Sequence, residues 1–146
     1  MRVASAAGRD LVEAPLQPAY LNRDQALEPV AGRAGWYAEA GWPRPGFPGS
    51  SIVVGHVSWN GVPDVFWNLP RVRPGDRVTV DYSSGERVRF VVTRSAALSK
   101  KAVPQDHSIW QPGARQPEIR LITCDPATPV VGGHFVGNWV VWGARD

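Results

Sequence analysis

Period-two alternation of apolar and polar positions dominates the middle of the chain. Arg77-Val78-Thr79-Val80-Asp81-Tyr82 and Arg87-Val88-Arg89-Phe90-Val91-Val92 set every second side chain on an apolar face. That is the period of a half-buried strand. Ser83-Ser84-Gly85-Glu86 between them reads as a hairpin loop. Residues 51–57, with β-branched Ile52, Val53 and Val54, predict an earlier strand, and residues 118–124 and 138–142 predict the last two. Weaker patterns predict one or two short strands within residues 3–16 and a short extended segment at Gly35-Trp36-Tyr37. Residues 64–69 predict a single helical turn with Asp64 as N-cap. Pro74-Gly75-Asp76 is a turn, and residues 41–49 form a loop whose aromatic side chains pack it onto the body of the domain. Helical periodicity of any length is absent, and 14 prolines and 15 glycines cut the chain into short pieces. The pattern predicts an all-β barrel or sandwich of short strands with helical turns in its loops. No repeat, low-complexity tract or linker divides residues 1–146, so one domain is expected.

Composition narrows the function. The net charge is +3 and the basic residues are scattered. Arg71, Arg73, Arg77, Arg87, Arg89 and Arg94 alternate with Val and Phe, as on the solvated face of a sheet. No nucleic-acid partner is expected. No apolar run reaches the roughly 18 residues a membrane span needs, and no signal-peptide core is visible. Any membrane anchor therefore lies outside this chain. Three histidines and one cysteine show no ligand spacing, so neither a metal nor another cofactor is expected.

The single cysteine, Cys124, closes the run Glu118-Ile119-Arg120-Leu121-Ile122-Thr123 and is followed at once by Asp125-Pro126. A lone thiol cannot form an internal disulfide. One reading is a small buried apolar residue; the other is a nucleophile at a strand end, where loops and sites gather. His56, in Val53-Val54-Gly55-His56-Val57, favours the second. A thiol is a nucleophile only as thiolate, and imidazole exchanges protons near neutral pH. Both residues fall near the C-terminal ends of β-branched strands. Parallel pairing of those strands would bring both side chains to one edge of the sheet.

From Gly35 to the C-terminus the chain resembles a sortase. The anchor motifs are Val54-Gly55-His56-Val57 and Leu121-Ile122-Thr123-Cys124. Between and after them come Val65-Phe66-Trp67-Asn68-Leu69, Val72-Arg73-Pro74-Gly75-Asp76, a hairpin, Gly133-His134-Phe135 and Asn138-Trp139-Val140-Val141-Trp142, in the family's order. The details are most similar to the compact actinobacterial sortases of class F or class E. The resemblance implies a closed eight-stranded β-barrel. It implies a monomeric cysteine transpeptidase on the extracellular face of a Gram-positive cell membrane, at the cell wall. Such an enzyme cleaves a Leu-Pro-any-Thr-Gly-like sorting signal between Thr and Gly. It then passes the acyl group to an amine of a peptidoglycan precursor. Cys124 carries over as nucleophile and His56 as general acid.

One expected group is missing. The family has an arginine at the start of the last strand, and the matching position in Gly133-His134-Phe135-Val136-Gly137-Asn138 is Val136. Valine cannot donate a hydrogen bond to an oxyanion, and no arginine lies between Cys124 and Arg145. Three groups are candidates for compensation. Arg120 lies on the same strand face as Cys124, His134 lies near the gap, and Arg145 stands at the chain end. Thr123 is a further candidate for support near the oxyanion. Trp59 and Val136 are candidates for a substrate groove. Asp125 reads as a turn former before Pro126 rather than as a partner of His56, and His107 as an exposed loop residue. The gap at Val136 also motivates a second function, a sortase-like barrel that binds a peptide or protein without turnover. An L,D-transpeptidase is set aside, because that family's Ser-any-Gly-Cys segment is not present.

Overall fold

The computed structural model describes all residues, 1–146. Its strands are β1 (Arg2–Ala4), β2 (Asp10–Glu13), β3 (Leu16–Ala19), β4 (Ala34–Tyr37), β5 (Gly49–Val54), β6 (Ser58–Trp59) and β7 (Val62–Pro63), followed by β8 (Arg77–Asp81), β9 (Arg87–Ser99), β10 (Pro117–Cys124), β11 (Val130–Val131), β12 (His134–Phe135) and β13 (Gly137–Arg145). Two 3₁₀ turns, Leu69–Arg71 and Val103–Gln105, are the only helical elements. The alternating segments thus become β8 and β9, joined through a turn in which Gly85 takes φ 91°, the left-handed region glycine tolerates. The helical turn expected at residues 64–69 starts later, at Leu69, with Asn68 before it. The Asp64 carboxylate instead accepts from the backbone N–H groups of Val65 and Gly32, tying two loops together.

Nine strands form one sheet in the order β2-β1-β8-β9-β13-β10-β5-β4-β3. The closed eight-stranded barrel is corrected here: β2 and β3 are free edges, no ladder joins them, and the sheet is an open half-barrel. The reason lies in Ala14-Pro15. These residues carry the chain from one edge directly to the other, and proline has no N–H to contribute to a ladder. Covalent chain bridges the seam where hydrogen bonds would close a barrel.

The two faces of the sheet bury different cores. One is a cluster that includes Val78, Val80, Val88, Phe90, Leu121 and Val141, capped by fully buried Phe66 and Leu69 from the loop after β7. The other gathers Ile52, Val54, Ile109, Ile122, Val140 and Trp142 beneath residues 100–116. Trp36 and Trp139 pack against the first cluster and Trp42 and Trp110 against the second, so these indoles are structural. Trp42 also stacks on Tyr37, which fastens the Gly/Pro-rich loop of residues 41–49 to the body. The arginines of β8 and β9 at positions 77, 87, 89 and 94 are exposed. His107 is exposed as well.

Candidate active site

β5 and β10 are parallel neighbours, with Val54 opposite Ile122. Two residues beyond that pair, on each strand, stand His56 and Cys124. The ladder continues past the last paired residues: Gly55 N–H donates to Ile122 O at 3.2 Å, and the Thr123 hydroxyl donates to Gly55 O at 2.6 Å. The chain ends that carry the two groups are therefore stitched together. Gly55 is required by its surroundings, since a Cβ there would lie 2.8 Å from the ring of buried Phe66. Phe66 in turn donates its N–H to His56 O at 3.0 Å and fixes the loop.

Both side chains line one cavity of about 400 Å³, shared with Lys100, His134, Asn138 and the loop residues Leu27 to Pro29. A second cavity of about 360 Å³, at Met1, Arg2, Asp81 and Arg87, holds none of the candidate groups. Cys124 and His56 are each half-buried, so a substrate carbonyl can reach them. His56 Nε2 lies 2.8 Å from Pro29 O. A carbonyl only accepts, so Nε2 carries hydrogen in either charge state. Nδ1 is left as the nitrogen that exchanges a proton with the site. Trp59 lies against the imidazole, with ring centroids 4.9 Å apart, and is half-exposed, but it does not line the cavity.

Of the remaining sequence candidates, Thr123 and His134 also line this cavity and the others lie elsewhere. Thr123 is buried with its hydroxyl committed to Gly55 O, so it positions the His56 loop. His134 lies on the β11–β12 hairpin, exposed at the cavity mouth. Val136 is exposed and does not line the cavity; its backbone N–H donates to Pro129 O and its carbonyl accepts from Lys100 N–H. Arg120 is not brought to the cavity. Its guanidinium pairs with the Glu118 carboxylate and donates to the Ser108 and Ile119 carbonyls. Burial pulls that guanidinium below its ordinary range, and Glu118 opposes the pull. Arg145 donates to Gly46 O at 3.5 Å, on β13 beyond the residues that pair with β10. Asp125 makes a turn: its carboxylate accepts from Ala127 N–H and its carbonyl from the Thr128 hydroxyl.

Two cavity residues escape a reading by motif. The register of β10 and β13 sets Asn138, not Val136, directly opposite Cys124. Lys100 follows the last residue of β9, whose strand partner β13 begins at Gly137. Pairing arithmetic between strands is the only sequence signal that could have found them, and it requires knowing where β9 and β13 begin and end. No group of acidic, histidine or cysteine side chains is arranged to hold a metal ion.

The model of the sortase domain matches residues 9–146. Among solved structures, sortase A of Listeria monocytogenes superposes with a TM-score of 0.65 at 17% identity, covering 99% of this chain and 85% of that one. Sortase A from Corynebacterium diphtheriae gives 0.67 at 18% identity, covering 99% of this chain and 59% of that one. Group B Streptococcus Pilus Island 1 sortase C2 gives 0.67 at 18%, covering 99% and 72%. No curated protein matches by sequence. At these identities the structures show a shared fold, while the domain match spans nearly the whole chain and its single cysteine. The chain belongs to the sortase family.

Proposed function

We propose that this domain is a cysteine transpeptidase of the class F or class E type, acting at the cell surface. It cleaves a Leu-Pro-any-Thr-Gly-like sorting signal between Thr and Gly and transfers the protein to an amine of a peptidoglycan precursor. Sortases as a family are cysteine transpeptidases that act on sorting-signal proteins and cell-wall precursors. The observation that carries the reading for this chain is the convergence of His56 and Cys124 on one cavity from the ends of adjacent parallel strands. The order of motifs supports the finer class.

In the reaction the Cys124 thiolate adds to the Thr carbonyl carbon and the π pair moves to oxygen. Collapse of this oxyanion restores the carbonyl and breaks the C–N bond. The leaving amine takes a proton from His56 Nδ1, which the Pro29 contact leaves free for that task. The resulting thioester is then attacked by the acceptor amine, which returns a proton to Nδ1, and the thiolate departs. Trp59 packs beside the imidazole, and His134 at the cavity mouth borders the path of the substrate.

Incubation with Leu-Pro-any-Thr-Gly and Leu-Ala-any-Thr-Gly peptides, followed by intact-mass measurement, tests this. A thioester on Cys124 that an added amine discharges is the expected result, with Cys124→Ala inert. Peptide binding with no adduct and no cleavage would favour the alternative, a barrel that binds a partner without turnover.

A further inference from the structure

Acyl transfer to a thiol needs hydrogen-bond donors aimed at the oxygen that becomes negative. Side-chain donors near Cys124 are few. Thr123 is spent on Gly55 O, Arg120 lies outside the cavity on Glu118 and Ser108, and His134 stands exposed at the cavity mouth. Asn138 stands directly across the ladder from Cys124. Asp125 N–H donates to Gly137 O at 2.9 Å, which makes the next pair, Cys124 and Asn138, a non-hydrogen-bonded one. Side chains at such pairs lie closest, with Cβ atoms about 4.5–5.5 Å apart on one face. Asn138 Nδ2 donates to Thr123 O at 3.0 Å. That contact fixes which end of the amide is nitrogen, since a carbonyl cannot pair with Oδ1. One N–H is therefore held by the strand that carries the nucleophile, and the second belongs to an amide that lines the cavity.

Lys100 completes the arrangement. Its backbone N–H donates to Val136 O at 3.1 Å, which extends the β9–β13 register by one step. Leu98 pairs with Asn138, so Lys100 is a diagonal neighbour of Asn138 on the same face. It is half-buried, lines the cavity, and its ammonium takes part in none of the three ion pairs, Arg2–Asp10, Arg87–Asp81 and Arg120–Glu118.

We infer that Asn138 and Lys100 together stabilise the oxyanion formed at Cys124: the Asn138 amide donates the directed hydrogen bond and the Lys100 ammonium supplies the charge. The inference rests on the transpeptidase reading for its natural substrate, but not for its chemistry. Any acyl donor attacked by Cys124 generates the same oxyanion.

The test therefore uses two acyl donors and one alkylating agent. The donors are a Leu-Pro-any-Thr-Gly peptide and p-nitrophenyl acetate; iodoacetamide reports thiol reactivity through a step with no oxyanion. Asn138→Ala is expected to slow acylation by both donors on the order of 10²-fold, the usual effect of deleting one such donor. Lys100→Met is expected to slow acylation roughly tenfold and to remove its salt dependence. Alkylation by iodoacetamide, read on its alkaline plateau where the thiol is fully ionised in every variant, should change less than about threefold. Should Asn138→Ala melt early, Lys100→Met, whose side chain bonds to nothing, carries the test with the same expectation. Wild-type acylation rates in both variants would overturn the inference, as would a wild type that is alkylated but acylated by neither donor. If only the peptide fails while p-nitrophenyl acetate remains sensitive to both variants, the inference stands and the sorting-signal reading falls.

Discussion

Arg120 and Cys124 stand on the same face of the same strand, and the fold treats them in opposite ways. About 13 Å of strand separates them, at roughly 3.3 Å per residue. Over Arg120 lie residues 100–116. Ile109 from this segment is fully buried, Trp110 Nε1 donates to Val103 O, and Ser108 takes a bond from Trp142 Nε1 on its hydroxyl and one from Arg120 Nε on its carbonyl. The arginine is sealed in and is structural. Over Cys124 no segment closes, and the thiol remains half-exposed in the cavity. Strand parity tells which side chains share a face. What covers that face is decided by loops far away in sequence, and coverage is what separates an ion pair in the body of the domain from a thiol open to a cavity.

The comparison can be broken at either end. The largest expected effect is at the open end. Gly55→Ala forces a methyl toward the Phe66 ring at 2.8 Å and displaces His56, which follows in the chain. Misplacing a catalytic group by about 1 Å can cost on the order of 10²-fold in rate. Transpeptidation by this variant should fall by that order while iodoacetamide still alkylates Cys124. Unchanged turnover would show that the loop geometry does not govern His56 in the role proposed for it.

At the closed end, Arg120→Met should do the reverse. Removing one partner of a buried pair costs about 3–5 kcal/mol. Glu118 is 27% exposed, so water offsets part of this; we expect about 2–3 kcal/mol. A thermal melt should show Tm lowered by roughly 5–10 °C, with kcat/KM per folded molecule within about threefold of wild type. Loss of activity without loss of Tm would place Arg120 in the catalytic machinery and end the distinction.

The smallest effect concerns the cover itself. The Asp106 carboxylate accepts from the Ser108 hydroxyl at 2.6 Å and the Ser108 N–H at 2.9 Å. The hydroxyl bond, more than the backbone bond and nearby Arg94 and His107, holds this carboxyl below its ordinary value of 3.8. A depressed carboxyl contributes stability that is present above the unfolded value and is lost as pH falls through the folded one. Below about pH 3.8, amide exchange in residues 100–116, taken relative to its intrinsic rate at each pH, should therefore accelerate in the wild type. In Asp106→Ala it should be fast already at neutral pH and respond less to acid. Equal acid sensitivity in both proteins would show that another group holds the cover.

The legibility of this molecule in its sequence follows the same division. β5, β8 and β10 could be read because β-branched and alternating residues mark them, and the parallel pairing of β5 with β10 places His56 and Cys124 as the conditional geometry requires. The face of Arg120 was legible too, but not its cover, because residues 100–116 have no periodicity. Asn138 was missed because position was counted along a motif. The β11–β12 hairpin intervenes, and register with β10 assigns the place opposite Cys124 two residues later than Val136. Lys100 was missed because β9 continues to Ser99 through Thr93-Arg94-Ser95-Ala96-Ala97, where the alternation fades. The Pro29 contact that fixes the His56 tautomer comes from a loop with no strand signal, and only tertiary structure places it.

The unclosed seam between β2 and β3 bears on how these molecules behave beside one another. An exposed strand edge is a template on which another chain can extend the sheet. Here each edge carries its own deterrent: Asp10 and Glu13 flank the core of β2, and Pro18 interrupts the row of donors on β3. Two such edges, joined only through Pro15, offer a neighbouring copy no long run of free N–H groups. An open sheet can thus remain dispersed where many copies crowd together, without a barrel's closure to protect it.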